Sequence, residues 1–334
     1  SALAAGNTVV IKPSSQAPVM ASLFAEILLE AGLPDGAANY LPGLGSEIGN
    51  ALVEHPAASF ISFTGSYQVG SDLVKSAAAA TASRDGFIKV VAEMGGKNAV
   101  IVDSTADLDA AVAGVIHSAF GFGGQKCSAC SRVIVLDGVY EEFAGRLVDA
   151  AASLMVGQAS SPDTNYGPLV EKAAVEKVAE YVEIGRKEAA TLLAPGPVPK
   201  EGYFAAPAIF GDVPVESRIA QDEIFGPVLS LIRVKSLGEA IEAANNVKYA
   251  LTGGVYSRTP SSIRKVTDSL RAGNLYINRG ITGAVVRRQP FGGFKRSGLG
   301  SAKAGGEDII RELALPQSIS ENIVRHGFSP DLPT

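Results

Sequence analysis

Residues 59–102 read SFISFTGSYQVGSDLVKSAAAATASRDGFIKVVAEMGGKNAVIV. Two β-rich apolar runs, Ser59–Thr64 and Phe87–Ala92, flank an Ala-rich stretch, Ser66–Ala80, that suits a helix. A third apolar run, Ala99–Val102, follows the segment Glu93-Met-Gly-Gly-Lys-Asn98. Strands separated by a helix are joined by a crossover and lie parallel. The alternation extends upstream. Thr8–Lys12 reads as a buried strand stopped by Pro13, Pro18–Ala31 as a helix with Gly32 as its C-cap, Ala38–Leu41 as a strand and Ser46–Glu54 as a helix. Downstream come a helix over Asp107–Phe120, a strand over Ser131–Leu136, a helix over Tyr140–Leu154 and a surface loop over Ala194–Gly202. Val228–Val234, Leu237–Ala244, Gly254–Tyr256, Ser261–Leu270 and Asn274–Ile277 repeat the pattern, and Ile309–His326 reads as a short strand and a mixed helix. The fold class is α/β, a doubly wound parallel sheet, in two lobes that meet near Glu93–Gly96.

A chain of 334 residues suits two domains. Apolar residues make up 46% and charged residues 19%, a balance that excludes intrinsic disorder. The net charge is −5 and no long basic run occurs, so a nucleic-acid partner is not expected. No apolar run reaches the ~18 residues of a membrane span. Two cysteines, Cys127 and Cys130, make no disulfide framework and point to a reducing compartment. The chain lacks an initiator Met and opens in mid-pattern at Ser1-Ala-Leu-Ala-Ala-Gly-Asn7, so a missing N-terminus is expected.

Cys127 lies in Gly121-Phe-Gly-Gly-Gln-Lys-Cys-Ser-Ala-Cys-Ser-Arg132, a glycine-rich turn that reads as leading into a helix start. There, backbone N–H groups, a positive helix end and Lys126 would lower the thiol pKa and help hold an oxyanion. The plainer reading is a small buried Cys. Cys127-x-x-Cys130 is also half of a zinc motif, but with three histidines in the chain no metal is expected. Glu93 ends an apolar strand before two glycines, where open α/β sheets bind ligands. Burial there would raise its pKa toward that of a general base, against the plainer reading of a solvated strand-end charge. Phe63-Thr-Gly-Ser66 and Pro42-Gly-Leu-Gly-Ser-Glu-Ile-Gly49 are strand–loop–helix junctions whose N–H groups can cradle phosphate, though the second spacing is not the dinucleotide fingerprint. Lys12 at a strand end can reach ribose hydroxyls or be an ordinary surface lysine. Glu223 and Phe225 in Gln221-Asp-Glu-Ile-Phe-Gly-Pro227 can hold a ribose and a flat ring, or form a turn with one core Phe. His55, His117 and His326 share no spacing and read as surface or core.

Together these segments resemble the aldehyde dehydrogenase superfamily. The order carries the resemblance: Ile11-Lys-Pro13, Phe63-Thr-Gly-Ser66, Glu93-Met-Gly-Gly-Lys-Asn98, Gly124-Gln-Lys-Cys127, Glu223-Ile-Phe-Gly-Pro227 and Pro290-Phe-Gly-Gly293. It implies that Cys127 is the nucleophile and Glu93 the general base. It implies a nicotinamide cofactor, NAD with NADP as a second choice, contacted by Lys12, Ser15, Gly45, Phe63, Gly65, Ser66, Val69, Gly95, Glu223 and Phe225.

One branch is matched further. Gly124-Gln-Lys-Cys-Ser-Ala-Cys-Ser-Arg132, Asn278–Gly293 and Ser320-Glu-Asn322 look like the L-glutamate γ-semialdehyde (Δ1-pyrroline-5-carboxylate) dehydrogenases. That likeness implies oxidation of glutamate semialdehyde to L-glutamate through a Cys thioester. It implies that Ser128, Gly283 and Ala284 bind the substrate α-carboxylate, with Phe291 as an aromatic wall. For Gly283-Ala284 the plain alternative is an ordinary turn. The chain departs from the family in lacking a long upstream segment, which would supply the Asn side chain of the oxyanion hole, and in having Ser15 where Glu often binds the adenosine ribose. The implied organisation is residues 1–93 as the C-terminal part of a dinucleotide-binding domain, 94–304 as a catalytic domain and 305–334 as a tail for oligomerisation. A homo-oligomer of the cytoplasm, or of the mitochondrial matrix in a eukaryote, is expected. The alternatives are a dehydrogenase for another aldehyde, or a non-catalytic fragment.

Overall fold

The computed structural model describes residues 1–300 and 303–323. The elements in order are β1 (Val9–Ile11), α1 (Pro18–Glu30), β2 (Ala38–Tyr40), α2 (Gly45–Glu54), β3 (Phe60–Thr64), α3 (Tyr67–Thr81), β4 (Lys89–Glu93), β5 (Asn98–Val102) and α4 (Leu108–Phe120). They continue with β6 (Cys130–Leu136), α5 (Asp137–Ala152), α6 (Lys172–Glu188), β7 (Ala190–Leu193), β8 (Ala208–Gly211), α7 (Arg218–Gln221) and β9 (Val228–Val234). The last are α8 (Leu237–Asn245), β10 (Tyr249–Ala250), β11 (Thr252–Tyr256), α9 (Pro260–Ser269), β12 (Asn274–Ile277), β13 (Phe294–Lys295), β14 (Gly298–Leu299) and α10 (Asp308–Glu312).

The larger lobe is built on a seven-stranded sheet in the order β12-β11-β5-β6-β9-β8-β7. All neighbours pair in parallel except β7, which runs antiparallel at one edge. The strands are apolar throughout because both faces are covered. Alternate residues of β5 show this: Ala99 and Ile101 join a core with α6, α8 and α9, whereas Val100 and Val102 join a core with α4 and α5. Each large aliphatic side chain buried this way contributes about 1.5–3 kcal/mol, so two filled cores make this lobe the rigid platform for the site.

The smaller lobe keeps the strand–helix alternation, but its strands fall into two sheets. β1 pairs in parallel with β2, and β3 in parallel with β4, which also takes β14 antiparallel on its other edge. Among the described residues no ladder joins the β1–β2 pair to the β14-β4-β3 sheet. α1 carries no buried residue, and Val19, Met20, Phe24 and Ile27 on it are exposed.

Two expectations need correction. Residues 309–323 do not form a strand and a long helix: α10 ends at Glu312, after which residues 315–323 have no regular structure. The remainder of the expected helix, with His326, lies outside the described residues. Cys127 does not open a helix, as the geometry of its turn explains below.

Candidate active site

α4 ends at Phe120, and within the next four residues the chain reverses. Phe122, Gly123 and Gly124 have φ of 60°, 63° and 71°, left-handed values that an α-helix cannot continue. A Cβ at Gly124 would lie 2.5 Å from the Gly226 carbonyl oxygen, so the turn is pressed against the Glu223–Pro227 loop. A tight turn closed by Ala129 N donating to Lys126 O at 2.9 Å then presents Cys127, and the chain enters β6, not a helix. Cys130, first in β6, is buried in the core and its Sγ donates to Arg132 O at 3.4 Å. Burial pushes the Cys130 thiol up to about 12.

Two side chains that the sequence reading left unassigned hold this turn. Asn98, only 3% exposed, donates from Nδ2 to Cys127 O at 2.7 Å and to Ala129 O at 2.8 Å, and its Oδ1 accepts from Thr252 N at 2.9 Å. Arg132 is 1% exposed and spends its guanidinium on carbonyls, those of Lys97, Ala243 and Ala244. Two of these acceptors close α8, where a cation is favoured. Lys97 is buried with no partner for Nζ among the described residues. Burial, then the Arg132 charge, push it down to about 7.

Glu93 ends β4, and its carbonyl accepts from Gly65 N at 3.1 Å. Its carboxyl is pushed up to about 7, chiefly by burial, with the Lys303 ammonium pulling the other way. This matches the expectation for a base that works near neutral pH. Glu223 folds over the glycine pair: Oε1 accepts from Gly96 N at 2.9 Å, and the carboxylate fills the space that a side chain on Gly95 would need. A Cβ on Gly96 would lie 2.6 Å from Cys127 O. Gly95-Gly96, two residues after Glu93, is thus packed between the Cys127 carbonyl and the Glu223 carboxylate. The expected lowering of the Cys127 pKa is not found. Burial raises it, the Glu223 and Glu93 charges raise it further, and the Ser128 amide only partly offsets them. The physical reason is burial first, and then the two carboxylates, where the sequence pattern places a positive helix end.

Of the residues expected around a dinucleotide, Lys12, Gly45, Phe63, Gly65, Ser66 and Val69 lie at or just beyond the C-terminal ends of β1, β2 and β3, while Glu223 and Phe225 lie on the loop before β9. The stem of Lys12 passes over Gly45 at the start of α2, and its Nζ donates to Pro13 O. The Phe63 ring covers Gly65, where a Cβ would come within 2.5 Å of it. Ser66 caps α3, its Oγ accepting from Val69 N at 3.3 Å, and Val69 is exposed. Phe225 is held at φ 61° with its ring 43% exposed beside Glu223. A positive helix start, a bare glycine floor, a carboxylate for hydroxyls and an exposed aromatic ring are the donor set that a dinucleotide needs. Ser15 is exposed and hydrogen-bonds the neighbouring Gln16, so no described contact links it to the other candidates.

On the other side of Cys127, Ser128 is buried and its carbonyl accepts from Thr252 Oγ1 at 3.3 Å. Gly283 has φ 85° and open space around it. Neither its amide nor that of Ala284 has an acceptor among the described residues. Phe291 is fixed by paired backbone hydrogen bonds with Ala304, at 2.8 and 2.7 Å. His55 and His117 are exposed.

The model of the aldehyde dehydrogenase family matches residues 1–319. The chain belongs to the aldehyde dehydrogenase family. Within it, the chain is 46% identical over 319 residues to 1-pyrroline-5-carboxylate dehydrogenase of Geobacillus sp. (strain WCH70), covering 96% of this chain and 62% of that protein. It is 45% identical over 309 residues to the enzyme of that name from Bacillus subtilis (strain 168), covering 92% and 60%. The chain therefore spans about three fifths of the length of these relatives. Among solved structures, 1-pyrroline-5-carboxylate dehydrogenase from Thermus with bound NAD aligns with a TM-score of 0.88 at 48% identity, over 92% of this chain and 59% of that one. Proline utilization A from Bdellovibrio bacteriovorus, inactivated by N-propargylglycine, aligns with a TM-score of 0.95 at 50% identity, over 98% and 34%. No helix among the described residues of this aldehyde dehydrogenase chain is long and apolar enough to cross a membrane.

Proposed function

We propose that this chain carries the nucleophile and the general base of an NAD-dependent dehydrogenase that oxidises L-glutamate γ-semialdehyde, the open form of Δ1-pyrroline-5-carboxylate, to L-glutamate, with NADP as a weaker cofactor. The observation that supports it most is the packing of the Cys127 turn and Glu223 on Gly95-Gly96, just after Glu93, with both carboxylates acting on the Cys127 thiol. In this reading residues 1–93 belong to the dinucleotide-binding domain, 94–304 to the catalytic domain and 305–334 to a segment that joins copies of a cytoplasmic homo-oligomer. Lys12, Ser15, Gly45, Phe63, Gly65, Ser66, Val69, Gly95, Glu223 and Phe225 hold the cofactor, which when bound accepts a hydride.

Glu93 takes the proton of the Cys127 thiol, whose pKa is raised by burial and then by the Glu223 and Glu93 charges. The Cys127 sulfur attacks the aldehyde carbon, and the developing oxyanion lies toward the Cys127 amide. Loss of the aldehyde hydrogen as a hydride, which the bound cofactor would accept, leaves the acyl group as a thioester on Cys127. Glu93 gives the thiol proton to solvent and then accepts a proton from water, which attacks the thioester; the carbon–sulfur bond breaks, and the carboxylate product and Cys127 are freed. Ser128 and the Gly283 and Ala284 amides bind the substrate's α-carboxylate, while Phe291 lines its aliphatic chain. A pocket with unpaired donors of this kind disfavours aldehydes that lack a carboxylate. The test is a cofactor-reduction assay on the complete protein with Δ1-pyrroline-5-carboxylate and a panel of simple aldehydes, using NAD and NADP in parallel. A higher kcat/KM for an uncharged aliphatic aldehyde would refute the substrate assignment.

A further inference from the structure

The backbone of Glu93 is pinned on both sides, by Thr64 of β3 and Gly298 of β14. Its carboxylate is not: Oε2 is buried without a hydrogen-bond partner among the described residues. Gly292 lies beside it. A Cβ there would be 2.8 Å from Glu93 Oε1 and 3.3 Å from Lys303 Cγ, so the carboxylate and the lysine side chain approach each other across a glycine that leaves them room. Lys303 is itself held in place. The next residue, Ala304, is bridged to Phe291, Gly306 N donates to Lys303 O at 3.1 Å, and Lys303 Nζ donates to the Gly273 carbonyl. The titratable groups that face Glu93 are then Cys127 from the nucleophile turn and Lys303 from this clamped segment.

We propose that Lys303 is a positioning residue for the general base, a fixed counter-charge that keeps the Glu93 carboxylate ionised and directed into the site across Gly292. The proposal rests on the assignment of Glu93 as general base. Without Lys303, burial acts on Glu93 unopposed, and the base is protonated over more of the neutral range. Lys303 does not touch the reacting atoms, so its loss acts through Glu93 alone.

The test compares wild type, Lys303→Gln, Lys303→Arg and Glu93→Gln in the complete protein. Lys303→Gln keeps a donor for the Gly273 carbonyl and removes the charge, while Lys303→Arg keeps the charge. Two profiles are measured against pH: kcat/KM, and the rate of Cys127 alkylation by iodoacetamide, which needs no turnover. Lys303→Gln is expected to move the acid limb of both profiles upward by about half a pH unit or more, a loss of about threefold on that limb. Lys303→Arg is expected to restore it. A limb that vanishes in Glu93→Gln yet stays put in Lys303→Gln overturns this proposal alone. A limb that survives Glu93→Gln overturns the general-base assignment and the proposal with it.

Discussion

The Asn98 side chain donates from Nδ2 to the Cys127 carbonyl oxygen at 2.7 Å, joining residues 29 positions apart. One buried amide thereby links the first residue of β5 to the turn that presents the nucleophile and, through Oδ1, to β11. Asn98→Ala leaves two carbonyls and one amide without that partner. Buried unpaired polar groups cost roughly 1–3 kcal/mol each, and partial relaxation brings the expected loss to about 3 kcal/mol. Urea unfolding measures it. Alkylation of Cys127 should slow in the same variant, because the turn no longer holds the sulfur toward Glu93. Unchanged stability would show that water replaces the amide.

The two cysteines are expected to separate cleanly. Cys127→Ala should abolish turnover, since no other thiol reaches the site. Cys130→Ser should keep most of the activity, because the hydroxyl can still donate to Arg132 O while the core loses only a small apolar volume. Mass spectrometry after brief iodoacetamide treatment of the native protein should find the label on Cys127. Equal loss of activity in both variants would contradict the separation.

Glu93 has a folded pKa of about 7 against an ordinary value of 4.5. The folded state therefore binds more protons than the unfolded state in that window, and this residue's contribution to stability falls as pH rises through it. Glu93→Gln lacks the effect. Relative to that variant, wild type should lose about 2–3 kcal/mol between pH 5 and pH 8. Denaturant unfolding at the two pH values decides, and a constant difference means an ordinary carboxyl. In turnover, the same substitution should slow acylation and leave no burst of reduced cofactor, because the Cys127 thiol loses its base; a burst followed by slow release would show that Glu93 serves deacylation alone.

Arg132 is the charged residue with the most at stake. Its guanidinium makes four hydrogen bonds to carbonyls from full burial. Arg132→Met removes the donors and leaves three buried carbonyls unpaired. The expected loss is about 3–5 kcal/mol, read from thermal or urea unfolding. Arg132→Lys should recover only part, because one ammonium cannot span Lys97 on one side and the end of α8 on the other.

The strands that the sequence disclosed are those whose side chains tell both faces of a sheet apart. Val228–Val234 and Asn274–Ile277 were read with the bounds they have, because apolar runs bracketed by turn residues leave little choice. α6 went unread although Val175, Val178, Tyr181, Val182 and Gly185 form a helical stripe, because Glu and Lys dominate the segment. The paired residues of the site were legible as motifs in order, but their support was not. A charged residue inside a strand, such as Arg132, looks solvated until the ends of α8 arrive from 111 positions away. The setting of Cys127 was misread for a conformational reason. Left-handed φ values at Phe122, Gly123 and Gly124 turn a glycine run from a helix start into a hinge that feeds β6. The pairing of β14 with β4 depends on a two-residue strand too short to carry a pattern.

Cofactor choice is the last prediction, and it turns on Ser15. In this position a glutamate would hold both ribose hydroxyls and repel a 2′-phosphate. Ser15 offers a small exposed hydroxyl and no charge, and Lys12 lies three residues before it. Lys12 Nζ donates to the adjoining Pro13 carbonyl, a part-buried contact that a phosphate would have to displace. NAD is expected to be the main cofactor and NADP to be used measurably. Ser15→Glu should lower kcat/KM for NADP about tenfold more than for NAD, a difference of about 1.4 kcal/mol. The measurement is the ratio of the two kcat/KM values before and after the substitution. If wild type uses no NADP, or the ratio stays fixed, Ser15 faces away from the ribose and another residue sets the preference.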